Sequence, residues 1–278
     1  MTFKDDFLNL KFLLGSFLLG LVIFLALFGN FLTPFSPNHQ SLMDSLLPPL
    51  TDGHILGTDH LGRDIFARMI SGARVSLTIA VSVVVISGLV GVVVGALSGY
   101  RGGAWDLVAQ KIVESFWAFP PILLAIAILA FLGQSLLNVV IALTIQRWIP
   151  YSRMARAQAM VLRSSAYVEA SRVMGGGLVW IMRRHILPNL MASAIIIGTF
   201  SMATAILAEA SLSFLGLGVP PQIATWGGML AEGRSYITRA WWLAVMPGAG
   251  IFITVLALNL MGDWLRDRYD PKKTLNLV

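Results

Sequence analysis

The chain has 278 residues, of which 56% are hydrophobic and only 12% are charged, with a net charge of +6 and a mean hydropathy of +0.77. Soluble domains carry about 25% charged residues, so this composition excludes a soluble globular protein, and it equally excludes disordered and collagen-like chains. The absence of Cys excludes disulfide scaffolds and thiol nucleophiles. The sequence therefore predicts an all-α polytopic membrane protein, in which excess positive charge indicates topology rather than nucleic-acid binding.

Six apolar segments are long enough to cross a bilayer, since a hydrocarbon core about 30 Å thick needs about 20 helical residues. The predicted spans are residues 13–32, 75–99, 108–132, 136–155, 190–214 and 242–260. The first is too long for the core of a signal peptide, and acidic residues precede it. We therefore predict that it is a membrane anchor.

The segment between the first two spans contains several prolines and three histidines. His39, His54 and His60 are separated by 15 and 6 residues, which matches no compact set of metal ligands. We therefore predict no metal site. Apolar residues then recur at helical spacing over 65–70, which predicts a short interfacial helix leading into the second span.

Glycines mark one face of the second span. Gly88, Gly91, Gly95 and Gly99 recur at spacings of three or four residues. Small residues on one face let another helix approach closely, so this span is predicted to pack tightly against a neighbour.

Spans three and four contain the unusual residues of the membrane region. Pro120 and Pro121 predict a kink in the third span. Arg147, next to Gln146, lies about 15 Å into the fourth span. Charged groups at such depth face water or an acid, so one hypothesis is that Arg147 lines a translocation path and favours solutes with a carboxylate. The alternatives are pairing with an acid inside the bundle or snorkelling to the inner surface.

The segment from about 156 to 189 is rich in arginine and too apolar for a solvated loop. Gly175, Gly176 and Gly177 interrupt it, since each glycine costs about 1 kcal/mol in a helix interior. We predict a helix, a glycine hinge and a second short helix ending at Pro188. A basic amphipathic helix pair either lies on anionic lipid or docks a partner, and these residues alone leave both interpretations open.

Acidic residues inside the spans have two interpretations. Glu209, in the fifth span, either lines the substrate path or makes an interhelical hydrogen bond that holds the bundle. Glu114, before the predicted kink, fits an interfacial or helix-pairing role better.

The Lys and Arg positions predict the orientation. Fourteen of the twenty lie on the side of the N-terminus and five on the opposite side, while Arg147 lies within a span. Both termini are therefore expected in the cytoplasm.

The sequence YVEASRVMG at 167–175, followed by RHILPN at 184–189, resembles the EAA loop of ABC-importer permeases. Further likenesses lie at 56–59, 61–64, 118–120, 213–220, 226–227, 259–260, 262–263, 265–267 and Asp270-Pro271. In this order they cover nearly the whole chain, which is similar to the C-type subunit of the dipeptide, oligopeptide and nickel permease family. The chain departs from the family in Ser171, where Ala is common, and in the flexible Gly176-Gly177 pair.

The resemblance implies a type I ABC importer permease fold with six transmembrane helices and cytoplasmic coupling helices. Its expected partners are a homologous second permease, two ATPase subunits that bind ATP and Mg, an external substrate-binding protein and membrane lipid. The expected location is the bacterial inner membrane. By analogy, the coupling residues are Tyr167, Glu169, Ala170, Arg172, Gly175, His185 and Pro188. The translocation path is assigned to Arg147, Gln146 and Glu209.

No phosphate-binding G-x-x-x-x-G-K-[ST] loop is present, so this chain is predicted to be a non-enzymatic pore subunit without a cofactor of its own. The predicted division is an anchor and external segment (1–74), a permease domain (75–262) and a cytoplasmic tail (263–278). A secondary transporter or channel that acts without an ATPase is the alternative function, although no internal inverted repeat supports it. An intramembrane enzyme would need a paired catalytic constellation, and none is recognisable.

Overall fold

The computed structural model describes residues 10–269 as a helical bundle. Both chain termini and Asp270-Pro271, and with them part of the predicted tail, lie outside these residues. The helices are α1 (Leu10–Phe28), α2 (Ile65–Arg101), α3 (Gly103–Trp117), α4 (Pro121–Leu132), α5 (Leu136–Leu162), α6 (Ala166–Val173), α7 (Leu178–Ile181), α8 (Leu187–Phe214), α9 (Trp226–Gly233) and α10 (Trp242–Tyr269). No β-strand occurs within this described range, which confirms the all-α prediction.

All six predicted spans fall on these helices. Four continuous helical segments are long and apolar enough to cross a membrane: Leu10–Phe31, Ile65–Arg101, Leu178–Phe214 and Trp242–Tyr269. The pair α3 and α4, bent by 84°, makes a fifth if it is counted as one broken span. The break lies where Pro120 and Pro121 predict a kink.

The sixth, α5, has 27 residues but does not meet the same apolar criterion. It contacts both helices of the bent pair. Near one end, Arg156 of α5 contacts Asp106 of α3 at 2.6 Å. At the other end, Asn138 of α5 donates to the carbonyl oxygen of Leu132, the last residue of α4, at 2.8 Å. The two ends of the bent pair thus contact the two ends of α5 in antiparallel order.

The glycine face of α2 packs against α5, as its spacing predicts. A Cβ atom added at Gly91, Gly95 or Gly99 would overlap the backbone carbonyl oxygen of Trp148, Ser152 or Arg156, respectively. The α2–α5 contact is the most extensive between any two described helices. Glycine is therefore required at these three positions by the close approach of two backbones.

The predicted external segment is attached to the bundle by buried ion pairs. Asp64 caps α2 by accepting from the Ala67 N–H at 2.7 Å, and its other oxygen lies 2.8 Å from His54 Nδ1. Arg63 bridges Asp59, at 2.5 Å, and Glu232 of α9, at 2.6 Å. The short helix predicted over 65–70 is the first part of α2, so the predicted domain boundary at 74 lies inside one continuous helix. These contacts fix the start of α2 against α9.

Candidate functional site

The predicted coupling segment begins with α6, whose end is shaped by glycines. Gly175 has φ +87°, a conformation that costs other residues about 1–2 kcal/mol. The Gly176 N–H donates to the carbonyl oxygen of Ser171 at 2.9 Å, which closes the last turn of α6. A Cβ atom at Gly176 would lie 2.7 Å from that same oxygen. The glycine run therefore forms a defined helix cap, and two of its three residues have specific geometric roles.

The second half of the segment differs from the prediction. Instead of ending at Pro188, the helix continues from Leu178 to Phe214 as a single segment of 37 residues. A π-helical turn, Met182–Ile186, joins α7 to α8. Pro188 lies in the first turn of α8, where a missing N–H is tolerated, and the wider π turn before it accommodates the irregularity. The second short helix is thus continuous with the fifth predicted span and does not end at Pro188.

The tip of the segment exposes large apolar side chains. Val173 is 88% exposed, Met174 78%, Val179 68% and Trp180 50%. We call these four residues the tip patch. The predicted coupling residues Tyr167, Glu169, Ala170, Arg172, Gly175 and Pro188 are also exposed. An apolar patch surrounded by polar residues is typical of a protein-docking surface.

His185, the remaining predicted coupling residue, lies inside the segment. Its Nε2 is 2.9 Å from the Ser171 hydroxyl group, and its ring lies against Tyr167, with centroids 5.5 Å apart, and Trp180, 5.1 Å apart. These contacts hold α6 against the π turn. Ser171 was not among the predicted site residues, although its departure from the usual Ala was a signal that could have identified it.

Two further contacts attach the segment to the membrane helices. Arg156 holds Asp106 through Nε and Nη2, each at 2.6 Å, and Ser98 donates to the same carboxylate at 2.5 Å. Arg172 reaches the Tyr100 hydroxyl at 3.3 Å. The Asp106–Arg156 pair was not predicted, because the partners are 50 residues apart and neither belongs to a motif.

Gln146 lies at the break between α3 and α4. Its Nε2 donates to the carbonyl oxygens of Phe116, at 2.7 Å, and Phe119, at 2.9 Å. A helix broken by proline weakens the backbone hydrogen bonds at the break, where the Phe116 carbonyl accepts a long bond of 3.4 Å from the Phe119 N–H. Inside a membrane a neighbouring side chain can supply a further donor. The structure thus gives Gln146 a bracing role at the break, in addition to its predicted place on a translocation path.

Replacing Gln146 by Leu is expected to lower the melting temperature of the detergent-solubilised complex. Gln146 is half-buried at this break, and a carbonyl that loses its donor away from water costs about 1–3 kcal/mol. The matched control is Gln134→Leu, because the Gln134 amide also donates to a carbonyl, that of Gly216, but is exposed. Equal melting temperatures for the two variants would contradict the bracing role.

Arg147 is partly exposed at the contact between α5 and α8. Its Nη1 donates to the Thr204 hydroxyl at 2.7 Å, and its Nη2 to the Thr204 carbonyl oxygen at 2.9 Å. No ion pair joins Arg147 to an acid in the described residues, and Glu114 is paired with Lys111 at 3.0 Å instead. The alternative interpretation, in which Arg147 pairs with Glu114 or Glu209, therefore does not hold in this conformation.

Glu209 is buried, with 1% of its surface exposed. It accepts from the Ser213 hydroxyl at 2.7 Å, one turn along the same helix. This burial favours a role inside the bundle over one on an open path.

One group of side chains has the ligand types of a metal site. Asp59, His60 and Glu232 bring their ligand atoms within 4.8 Å of one another, a set that the histidine spacing did not reveal. Arg63 contacts both carboxylates, and Arg68 lies 3.3 Å from Glu232. A cation would have to displace these guanidinium groups, so the cluster fits an ion-pair network better than a metal centre.

Comparison with known proteins gives matches along most of the chain. The profile of binding-protein-dependent transport system inner membrane components matches residues 91–275, and that of the N-terminal TM domain of oligopeptide transport permease C matches residues 9–49. A Pseudomonas aeruginosa di/tripeptide transport system permease protein, DppC, is 44% identical over 276 residues, covering 97% of this chain and 91% of that protein. The Bacillus subtilis oligopeptide transport system permease protein OppC is 38% identical over 260 residues, covering 94% and 85%.

Among solved structures, the inward-facing MetNI methionine ABC transporter aligns with a TM-score of 0.57. The alignment covers 72% of this chain and 95% of the other, at 20% sequence identity. At that identity the likeness concerns the fold alone, which is that of an ABC transporter permease.

Proposed function

The chain belongs to the family of binding-protein-dependent transport system inner membrane components, of the peptide-permease type, and from this premise we propose that it forms half of the pore of an ATP-driven importer. A homologous permease supplies the other half, two cytoplasmic ATPases bind ATP and Mg, and an external binding protein delivers the solute. The solutes are di- or oligopeptides, or small molecules of similar chemistry. Both termini lie in the cytoplasm, on the side that carries most of the Lys and Arg residues.

The observation that carries this proposal is the exposed tip patch on a braced, basic segment. Four large apolar side chains on a short helix pair are each exposed over half of their surface or more in the described chain. We assign this surface to docking in a groove of an ATPase subunit, with Glu169, Ala170, Arg172 and Gly175 beside the apolar contact and His185 holding the two halves together. The second interpretation of the segment, binding to anionic lipid, explains the arginines but not the polar and acidic groups beside the patch.

The continuous helix gives this docking a mechanical consequence. When the ATPases close on ATP, the tip patch moves with them. Because α7, the π turn and α8 form one helical segment, the displacement passes along α8 into the membrane as a rigid-body movement. The contact between Arg147 and Thr204 lies on this route. Alternating access then follows from a shift between two packed arrangements of α5 and α8.

Reconstitution tests the proposal. The complete complex in proteoliposomes, with loaded binding protein outside and ATP inside, is expected to accumulate solute only when ATP can be hydrolysed. Uptake by this chain alone, independent of ATP, would instead support a secondary transporter or channel. Copurification of the chain with an ATPase subunit from its native membrane is the simpler first measurement.

A further inference from the structure

A seam of polar side chains follows the contact between α5 and α8. It consists of Arg147, Tyr151 and Gln158 on α5 and Ser193, Ser201 and Thr204 on α8. Arg147 contacts Thr204 in the middle of the spans, and the Gln158 amide donates to the Ser193 hydroxyl, closer to the coupling segment, at 2.7 Å. Tyr151 lies between these two contacts on α5. The neutral groups hold the two helices together, whereas an ionisable side chain such as Arg147 inside a membrane protein is the kind of group that faces a water or solute path.

Arg147 is the one cation of this seam, and neutral groups hold it in place. Three hydrogen bonds to Ser201 and Thr204 engage both terminal nitrogens. A guanidinium group has five N–H donors, so its Nε–H and one Nη2–H have no acceptor in the described part of the chain. The charge is thus positioned but not neutralised, and its side chain is partly exposed.

The two nitrogens of Arg147 with a free N–H, Nε and Nη2, are the same two that bind a carboxylate in Arg156. Arg156 holds Asp106 through Nε and Nη2, each at 2.6 Å. Arginine forms such paired, charge-assisted hydrogen bonds with carboxylates because its planar donors match the two oxygens in spacing. Arg147 therefore presents the same pair of donors, without the acid, in the membrane interior.

We propose that Arg147 is a binding site for the carboxylate of the transported solute, which for a peptide is its C-terminal group. This inference rests on the proposed function, since it names what the importer recognises within the membrane. The solute carboxylate accepts from Nε and Nη2 while Thr204 and Ser201 keep the guanidinium in position. Movement of α8 changes the position of Thr204, so ATP-driven movement alters the site and releases the solute.

A pair of peptides tests the proposal. The reconstituted complex is supplied with one dipeptide, either with a free C-terminus or as its C-terminal amide, each bound to saturating binding protein whose loading is measured first. The ratio of the two uptake rates is compared between native protein and Arg147→Gln. The binding protein is the same in both, so its own preference cancels. We expect the preference for the free carboxylate to fall about tenfold, as for loss of one charge-assisted contact.

Two variants control the measurement. Arg147→Lys keeps the charge without the paired donors and should retain part of the preference. Arg74→Gln removes an arginine that donates to a backbone carbonyl, that of Ala26 at 2.9 Å, outside the seam, and should leave the ratio unchanged.

An unchanged ratio in Arg147→Gln overturns the proposal. Loss of the second permease from the purified Arg147→Gln variant overturns it as well, because Arg147 would then act in subunit assembly. Failure of the proposed function is distinguishable, since the native complex would then show no ATP-dependent uptake of either peptide.

Discussion

Replacing Gly95 by Ala is expected to prevent stable assembly of the helix bundle. The added methyl group would overlap the carbonyl oxygen of Ser152 on α5, a backbone atom that cannot move without displacing its helix. Because α2 and α5 form the largest helix contact, the overlap must be relieved by separating them. Forcing additional atoms into a packed interior typically costs about 1–3 kcal/mol, and we expect Gly95→Ala at or above the upper end. The melting temperature and the yield of monodisperse complex measure this effect.

The matched control is Gly88→Ala, on the same helix and with the same chemical change. At Gly88 a Cβ atom would lie 3.5 Å from the Tyr151 ring, an ordinary van der Waals contact. This variant should therefore have nearly native stability. If both variants were equally stable, the backbone approach at Gly95 would be wider than the structure has it.

Replacing Val173 by Asp is expected to abolish uptake while leaving the chain folded. Val173 is 88% exposed in the isolated chain, so the substitution removes almost no internal packing. Once the tip patch lies in the proposed ATPase groove, however, the carboxylate would be buried against apolar groups without a partner. Such burial costs several kcal/mol, and about 1.4 kcal/mol already corresponds to a tenfold weaker complex. We expect copurification with the ATPase and ATP-driven uptake to fall together by well over tenfold.

Val161→Asp is the control for that experiment. Val161 is 72% exposed and lies on α5, outside the tip patch, so the same change there should leave ATPase association intact. Native levels of ATPase association in Val173→Asp would show that the patch is not the docking surface, and equal losses in both variants would indicate a general effect of added charge.

Local patterns in the sequence were sufficient for much of the fold. The predicted spans coincide with helices because each depends on a run of about 20 apolar residues. The kink at Pro120 and the close approach at Gly91, Gly95 and Gly99 were also predictable from the local sequence. A proline interrupts the helix in which it lies, because it has no N–H to donate. A glycine face lacks side-chain bulk, whichever helix packs against it. The glycine cap of the coupling segment was likewise detectable, since consecutive glycines disfavour helix in any context.

The predicted helix end at Pro188 was wrong, because the neighbouring turn decided whether the helix continued. Proline usually ends a helix, but the π turn before it let the helix continue into α8. The contacts of the predicted path residues depended even more on distant partners. Arg147 and Thr204 are 57 residues apart, and Gln146 meets the carbonyl oxygen of Phe116 across 30 residues. Nothing in the local sequence specifies which group such a side chain will meet.

Composition by itself determined that this chain lies in a membrane and located its long apolar helices, because the hydrocarbon core accepts runs of about 20 apolar residues and disfavours charged ones. The positions of Lys and Arg further predicted its orientation. Only the tertiary structure decided that Gln146 braces a broken helix, that His185 and Ser171 hold the coupling segment together, and that Arg147 has no acidic partner in the described chain. Each of these depends on the distance between atoms far apart in sequence, which is fixed only when the helices pack.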